Sequence, residues 1–109
     1  CALPICNRWR GGLPRRHRST IFHDTYRSLE REAADVLIAH EAPSCHPHGF
    51  HALDQLTRTL GANAAFHGHH HDCLDYSQEW QSLRFRAHGV GLRGISDIEG
   101  NVIVPGDLD

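Results

Sequence analysis

Two short apolar runs, each followed at once by histidine, constrain the fold of this chain more than any other feature. Residues 36–39 and 64–66 are apolar without polar alternation, which is typical of strands buried on both faces. Between them, residues 50–60 carry leucine at helical spacing and are followed by Gly61, a favourable helix C-cap. Strand, helix and strand in this order predict an α/β fold with an at least partly parallel sheet.

The flanking segments fit the same architecture. Apolar side chains recur at helical spacing over residues 20–34, which predicts an amphipathic helix. Residues 80–90 and 101–104 are expected to form further strands, with a turn at 99–101. Functional groups of such folds gather where parallel strands end, and both histidine-rich segments follow a predicted strand.

Residues 1–19 are predicted to be an arginine-rich irregular segment ahead of a domain at residues 20–109. Pro4, Pro14 and the glycine pair at 11–12 interrupt any periodicity there. Arginine occupies positions 8, 10, 15, 16 and 18. This basic segment is consistent with a solvated loop or with contact to an anion such as phosphate.

Composition excludes several classes of function. The chain has 109 residues, so it forms one domain at most. No apolar run reaches the ~18 residues that span a bilayer, and no membrane partner is expected. A net charge of −2 argues against a general nucleic-acid binder. Since the chain begins with Cys1 and holds no methionine, a segment upstream is expected.

The four cysteines, at positions 1, 6, 45 and 73, contain no Cys-x-x-Cys pair. Neither a zinc ribbon nor a thioredoxin-like redox motif is therefore predicted. Without a recognisable secretion signal, reduced thiols and a cytoplasmic location are the expectation.

The chain holds eleven histidines, and their placement matters more than their number. Residues 67–71 read His-Gly-His-His-His directly after a predicted strand, so alternate imidazoles can face one site. An affinity tag would stand at a terminus, whereas this tract is internal. Neutral imidazole is the commonest metal ligand in proteins, and the tract is interpreted as metal-binding. Four other histidines lack ligand spacing and are expected to be surface or hydrogen-bonded residues: His17, His23, His51 and His88.

The strand that ends in His40, followed by Glu-Ala-Pro, and the Gly-His-His-His at residues 68–71 resemble the last two motifs of calcineurin-like metallophosphoesterases. The resemblance implies the C-terminal half of that family's α/β sandwich, a strand-helix-strand unit followed by C-terminal strands. It also implies phosphate-ester hydrolysis by hydroxide generated at divalent metal ions, Mn, Fe or Zn. By position, His40 and His69 would bind one metal and His71 the other. Candidates for contact with the phosphorylated substrate are His70 and two histidines of the loop between the motifs, His46 and His48. These two have no counterpart among the family's metal ligands, and incidental placement is the alternative for them.

The earlier motifs of that family, Asp-x-His, Gly-Asp-x-x-Asp and Gly-Asn-His-Asp/Glu, do not occur in this chain. The resemblance therefore implies an incomplete site with weak or no phosphatase activity in the chain alone. Pairing with a missing N-terminal half, or self-association through an open sheet edge, is expected. Two alternatives are a non-catalytic His-rich metal-binding or interaction module and a degenerate fragment with incidental histidines.

Overall fold

The structure, a computed structural model, describes residues 2–3 and 21–108. Seven strands, three α-helices and one 3₁₀ turn occur in these residues. In chain order they are β1 (Ala2–Leu3), β2 (Ile21–Phe22), α1 (His23–Leu29), β3 (Val36–Ala39), α2 (His51–Leu60), β4 (Ala64–His67), the 3₁₀ turn (Ser77–Glu79), α3 (Trp80–Leu83), β5 (Arg86–Gly89), β6 (Ile95–Ser96) and β7 (Val102–Val104).

A three-stranded parallel sheet in the order β3-β4-β5 forms the centre of the fold. Its last paired residues are Ala39, His67 and Gly89, so the carboxyl ends of all three strands lie at the same end of the sheet, here called its carboxyl edge. The predicted α/β class with a parallel sheet is confirmed. Because the strands are parallel, the loops that carry the two histidine-rich segments leave the sheet side by side.

Helix α2 connects β3 to β4 and covers one face of the sheet. Leu53, Leu56 and Leu60 are buried along one side of this helix. Gly61 ends it with a φ of 75°, a left-handed conformation that glycine adopts without steric cost. The helix predicted at residues 50–60 is thus confirmed, and it begins one residue later than predicted.

The core lies on this covered face in two neighbouring clusters. Leu37 of β3 packs against both of them. One cluster comprises Ala65, Tyr76, Leu83, Phe85 and Ala87. The other comprises Leu56, Leu60 and Ala62, with Tyr26 and Leu29 of α1 against it.

The expectation of strands buried on both faces is confirmed for β4, in which every residue is buried, but it is wrong for β3, which is open on the face opposite α2. Ile38 is 80% exposed because β3 is an edge strand and no described element covers its outer side. An open groove of about 410 Å³ runs between Ile38, Phe66 and Ile95. Strands β6 and β7 form a separate antiparallel hairpin, and the turn predicted at residues 99–101 lies at its tip.

Two predicted elements differ from the structure. Helix α1 has seven residues rather than fifteen, because the backbone N–H of Ala34 bonds to the Leu60 carbonyl and so leaves the helical path. Residues 80–83 are helical rather than extended, with Leu83 buried in the core and the Trp80 indole N–H bonded to the Ala87 carbonyl at 3.2 Å.

Most of the predicted irregular segment 1–19 lies outside the described residues. Its described part, Ala2–Leu3, pairs in parallel with Ile21–Phe22. Over residues 2–3 and 21–108, the structure contains no helix with the length and apolarity needed to cross a membrane.

Candidate metal centre

His40 and His69 meet at the carboxyl edge of the sheet. His40 follows β3 directly, and His69 stands two residues beyond β4. The backbone N–H of His69 donates to the His40 carbonyl at 2.9 Å, which extends the β3–β4 hydrogen-bond ladder past the strand ends. Nε2 of His40 lies 2.5 Å from Nδ1 of His69, with the ring planes at 73°. The two predicted ligands thus converge on one point.

Glu41 supplies the third donor, which the sequence interpretation had left out. Ligand atoms of His40, Glu41 and His69 all lie within 4.8 Å of one another, so this group could hold a metal ion. We call it the surface triad, because both imidazoles are exposed and Glu41 is half-buried. Two imidazoles and one carboxylate match the donor set of catalytic zinc sites, which keep a coordination position open.

His71 does not join the surface triad, and its predicted role as a ligand to another metal stays a prediction. The residue is exposed and has a φ of 60°. Within residues 67–71, the left-handed backbone conformation occurs at His71 and not at Gly68. Aspartate and asparagine side chains tolerate this region better than most, and histidine shares that tendency.

A second set of polar side chains lies inside the same two loops, and we call it the inner group. Its members are His46, His67, His70, Asp72 and Tyr76. The His46 ring is 4% exposed and places Nε2 3.2 Å from Asp72 Oδ2. Its other nitrogen, Nδ1, accepts the backbone N–H of His48 at 3.0 Å. His46 therefore links the loop after β3 to the loop after β4.

His67, the last residue of β4, is 3% exposed and contacts the Tyr76 hydroxyl through Nε2 at 3.0 Å. Burial, reinforced by the neighbouring His46, lowers the pKa of His67 to about 4. Burial also raises the pKa of Tyr76, so the phenol keeps its proton. Gly89 of β5 leaves room for this ring, since a Cβ there would stand 3.1 Å from His67 Cε1. His67 is thus a neutral core residue at neutral pH.

The three candidate substrate residues gather beside the surface triad. His70 stacks on His46 with ring centroids 3.8 Å apart and planes within 11°, and its ring lies 4.8 Å from that of His69. Burial lowers the pKa of His70, with His46 and His69 acting in the same direction. His48 is exposed, 5.8 Å from His70 between ring centroids. Their contact with substrate remains a prediction.

The loop after β3 is fixed to helix α2 by Asp54. This buried carboxylate accepts the backbone N–H of Ser44 at 2.9 Å and also the Ser44 hydroxyl. Gly49 completes the loop where no side chain fits, because a Cβ there would stand 1.7 Å from the Pro43 carbonyl oxygen. His46 therefore sits in a loop that is fixed by Asp54 and by the close contact at Gly49.

Among the described residues, none of the histidines expected to be non-ligands belongs to the triad. His23 and His51 are exposed on helices, and His17 lies outside the described residues. His88 is half-buried between Phe66 and Trp80, with ring centroids 4.9 and 5.3 Å away. Burial, with Arg86 adding to it, lowers the pKa of His88.

Comparison with known proteins identifies a similar protein whose function is not characterized. No protein-family model matches the chain, and no solved structure matches it. An uncharacterized protein of Haemophilus influenzae is 43% identical over 96 residues, which is 88% of this chain and 41% of the relative. The chain thus spans less than half the length of that protein.

Proposed function

We propose that this chain binds a divalent transition metal at His40, Glu41 and His69 and contributes this centre to a metal-dependent phosphoesterase. The observation that carries the proposal is the convergence of three metal-ligand atoms within 4.8 Å. Imidazole and carboxylate together favour Zn, Fe or Mn over calcium, whose ligands are all oxygen. The resemblance of residues 36–71 to two phosphoesterase motifs supports the choice of phosphate ester as substrate class.

The chemistry that such a metal supplies is a lowered pKa of bound water and stabilisation of negative charge on phosphate oxygens. The triad is accessible, since His40 and His69 are exposed at the sheet edge. His70, whose ring centroid lies 4.8 Å from that of His69, and His48, 5.8 Å from His70, would orient the phosphate ester. His71 would bind a second ion if another segment supplies carboxylate ligands.

A non-catalytic metal-binding module is the second candidate. It is favoured by the absence of the family's three earlier motifs from this chain. Two-metal hydrolysis needs a carboxylate that bridges the ions, and the described residues bring a single carboxylate, that of Glu41, into the triad. This alternative predicts stoichiometric metal binding without turnover.

Metal titration combined with a hydrolysis assay tests the proposal. Purified chain is titrated with Mn²⁺, Zn²⁺ and Fe²⁺, and an aryl phosphate monoester and diester are offered as substrates. We expect one tightly bound ion per chain and weak turnover. His40→Ala and His69→Ala should each weaken binding by more than the roughly 10–100-fold typical of residues that only contact a ligand.

His23→Ala is the matched control, because His23 is an exposed histidine on α1 outside the triad. Equal metal affinity in wild type, His40→Ala and His69→Ala would refute the proposed centre. Stoichiometric metal in the wild type without any turnover would select the non-catalytic module.

A further inference from the structure

We infer that His46 is a positioning residue that holds the two histidine-bearing loops together and so sets the geometry of the surface triad. The inference rests on the proposed function, since it requires a metal at His40, Glu41 and His69. It gives His46 a task other than contact with substrate. Burial, hydrogen bonding and ring stacking each support it.

Both ring nitrogens of His46 are already engaged. Nδ1 accepts the His48 backbone N–H at 3.0 Å, so this nitrogen carries no proton and Nε2 must be the protonated one in neutral imidazole. Nε2–H then donates to Asp72 Oδ2 at 3.2 Å. With both nitrogens occupied and 4% exposure, His46 offers no atom to a metal or a substrate.

The hydrogen bond to Asp72 joins segments that are distant in sequence. His46 lies in the loop that begins with His40, and Asp72 lies in the loop that carries His69. The only described backbone bond between residues of these two loops is that from His69 N–H to the His40 carbonyl. His46 and Asp72 therefore add a second tie, on the inner side of the triad.

Ring stacking connects His46 to the triad itself. The His46 ring lies flat against His70 at 3.8 Å, and His70 is the chain neighbour of His69. The His70 ring in turn meets the His69 ring edge-on at 4.8 Å. A change at His46 would therefore move the His69 imidazole without removing any ligand atom. Residues that orient metal ligands in this way typically alter metal affinity roughly 10–100-fold.

The polar composition of the inner group also favours a positioning role over plain packing. His67 Nδ1, His70 Nε2 and Asp72 Oδ1 are buried without a hydrogen-bond partner among the described residues. Unpaired buried polar atoms destabilise a fold, and apolar side chains would fill the same space at lower cost. A requirement for directional contacts explains why the loops keep imidazole and carboxylate here.

Cobalt titration of the full chain tests the inference, because Co²⁺ replaces zinc and its visible absorption reports ligand geometry. Wild type, His46→Ala, His46→Gln and the exposed control His23→Ala on α1 are compared at one pH. We expect His46→Ala to weaken Co²⁺ binding roughly 10–100-fold and to alter the absorption bands. His46→Gln should recover part of the affinity, since its amide N–H can still donate to Asp72.

Asp72→Ala removes the same hydrogen bond from the side of the other loop. It replaces His46→Ala in the test if that variant does not fold. The Asp72 side chain is 35% exposed, so its loss disturbs the core less. Thermal unfolding of each metal-free variant shows that the compared proteins are folded at the titration temperature. Asp72→Ala should reproduce the loss of affinity and the altered bands.

The outcomes separate this inference from the proposed function. A wild type that binds one Co²⁺, together with His46→Ala of equal affinity and identical bands, would overturn the positioning role and keep the metal centre. The positioning role would also be overturned if His46→Ala bound Co²⁺ more weakly with unchanged absorption bands and His46→Gln recovered none of the affinity. General destabilisation of the fold would then explain the weaker binding. Absence of Co²⁺ binding by the folded wild type would refute the metal centre and the role of His46 with it.

Discussion

The surface triad and the inner group contain the same kind of side chain in opposite environments. His40 and His69 are exposed and point their nitrogens at one another, whereas His46 and His67 are at most 4% exposed and have partners inside the protein. Both sets come from the same two loops. The difference shows that burial, rather than sequence adjacency, separates histidines available to a metal from histidines that build the scaffold.

The largest effect on the free energy of unfolding should come from substituting one of two loop glycines, Gly49, and not the other, Gly68. Gly49→Ala forces a Cβ to within 1.7 Å of the Pro43 carbonyl oxygen in the loop that carries His46. Because backbone must move to relieve this clash, we expect a loss of at least about 3 kcal/mol in the free energy of unfolding. Urea unfolding followed by circular dichroism measures it.

Gly68→Ala is the matched control in the loop of the surface triad. The nearest atom to a Cβ there is the Val90 carbonyl oxygen at 4.0 Å. The free energy of unfolding should stay within about 0.5 kcal/mol of wild type. A loss as large as that of Gly49→Ala would mean that both loops are equally constrained, and the contrast between them would fail.

We expect the inner group, and not the surface triad, to cause a loss of stability at acid pH. The pKa of His67 is lowered to about 4 in the folded chain, against 6.5 when unfolded. The unfolded chain therefore binds more protons between these values, so the stabilisation is complete above pH 6.5 and is lost as the pH falls to 4. We expect His67 to account for roughly 2 to 3 kcal/mol of that loss.

His67→Phe, which cannot titrate, should show a shallower fall in unfolding free energy over this pH range, measured in metal-free buffer. His40→Ala, an exposed histidine of the surface triad, should keep the wild-type slope. Parallel curves for wild type and His67→Phe would contradict the assignment of a neutral buried His67.

The smallest effect concerns two thiols. Burial, followed by the nearby Asp54, raises the pKa of Cys45 to about 11, while Cys73 is exposed. Because the thiolate is the reactive form, iodoacetamide at pH 8 should modify Cys45 at least about tenfold more slowly than Cys73. Peptide mapping by mass spectrometry at timed intervals resolves the two sites. Equal rates would indicate that the loop around Cys45 opens readily.

The sheet and helix α2 could be predicted from sequence because their signals are local. Apolar runs marked β3 and β4, and leucine spacing with a following glycine marked α2. Trp80 and Leu83 were wrongly assigned to a strand, since two apolar residues in a stretch of four are too short a pattern to distinguish helix from strand. Their shared packing on the core decides for the helix. Ile38 was expected to be buried, but sequence does not reveal which strand lies at an edge.

The candidate site was predicted in part. His40 and His69 were paired through resemblance, and Glu41 could have been added as the carboxylate next to a ligand at a strand end. The contact between His46 and Asp72 joins residues 26 positions apart. No local pattern encodes such a contact, because it depends on how two loops fold over one sheet edge.

The backbone hydrogen bond between His69 and His40 has a further consequence. It holds the two backbones at the spacing of adjacent strands, about 4.8 Å, and so brings both side chains to the same end of the sheet, where their ring centroids lie 4.4 Å apart. Substitutions in the interior of β3 or β4 that weaken this last hydrogen bond would then change the geometry of the triad without altering any of its three residues. Amide hydrogen exchange at His69 would report this weakening directly, one residue at a time.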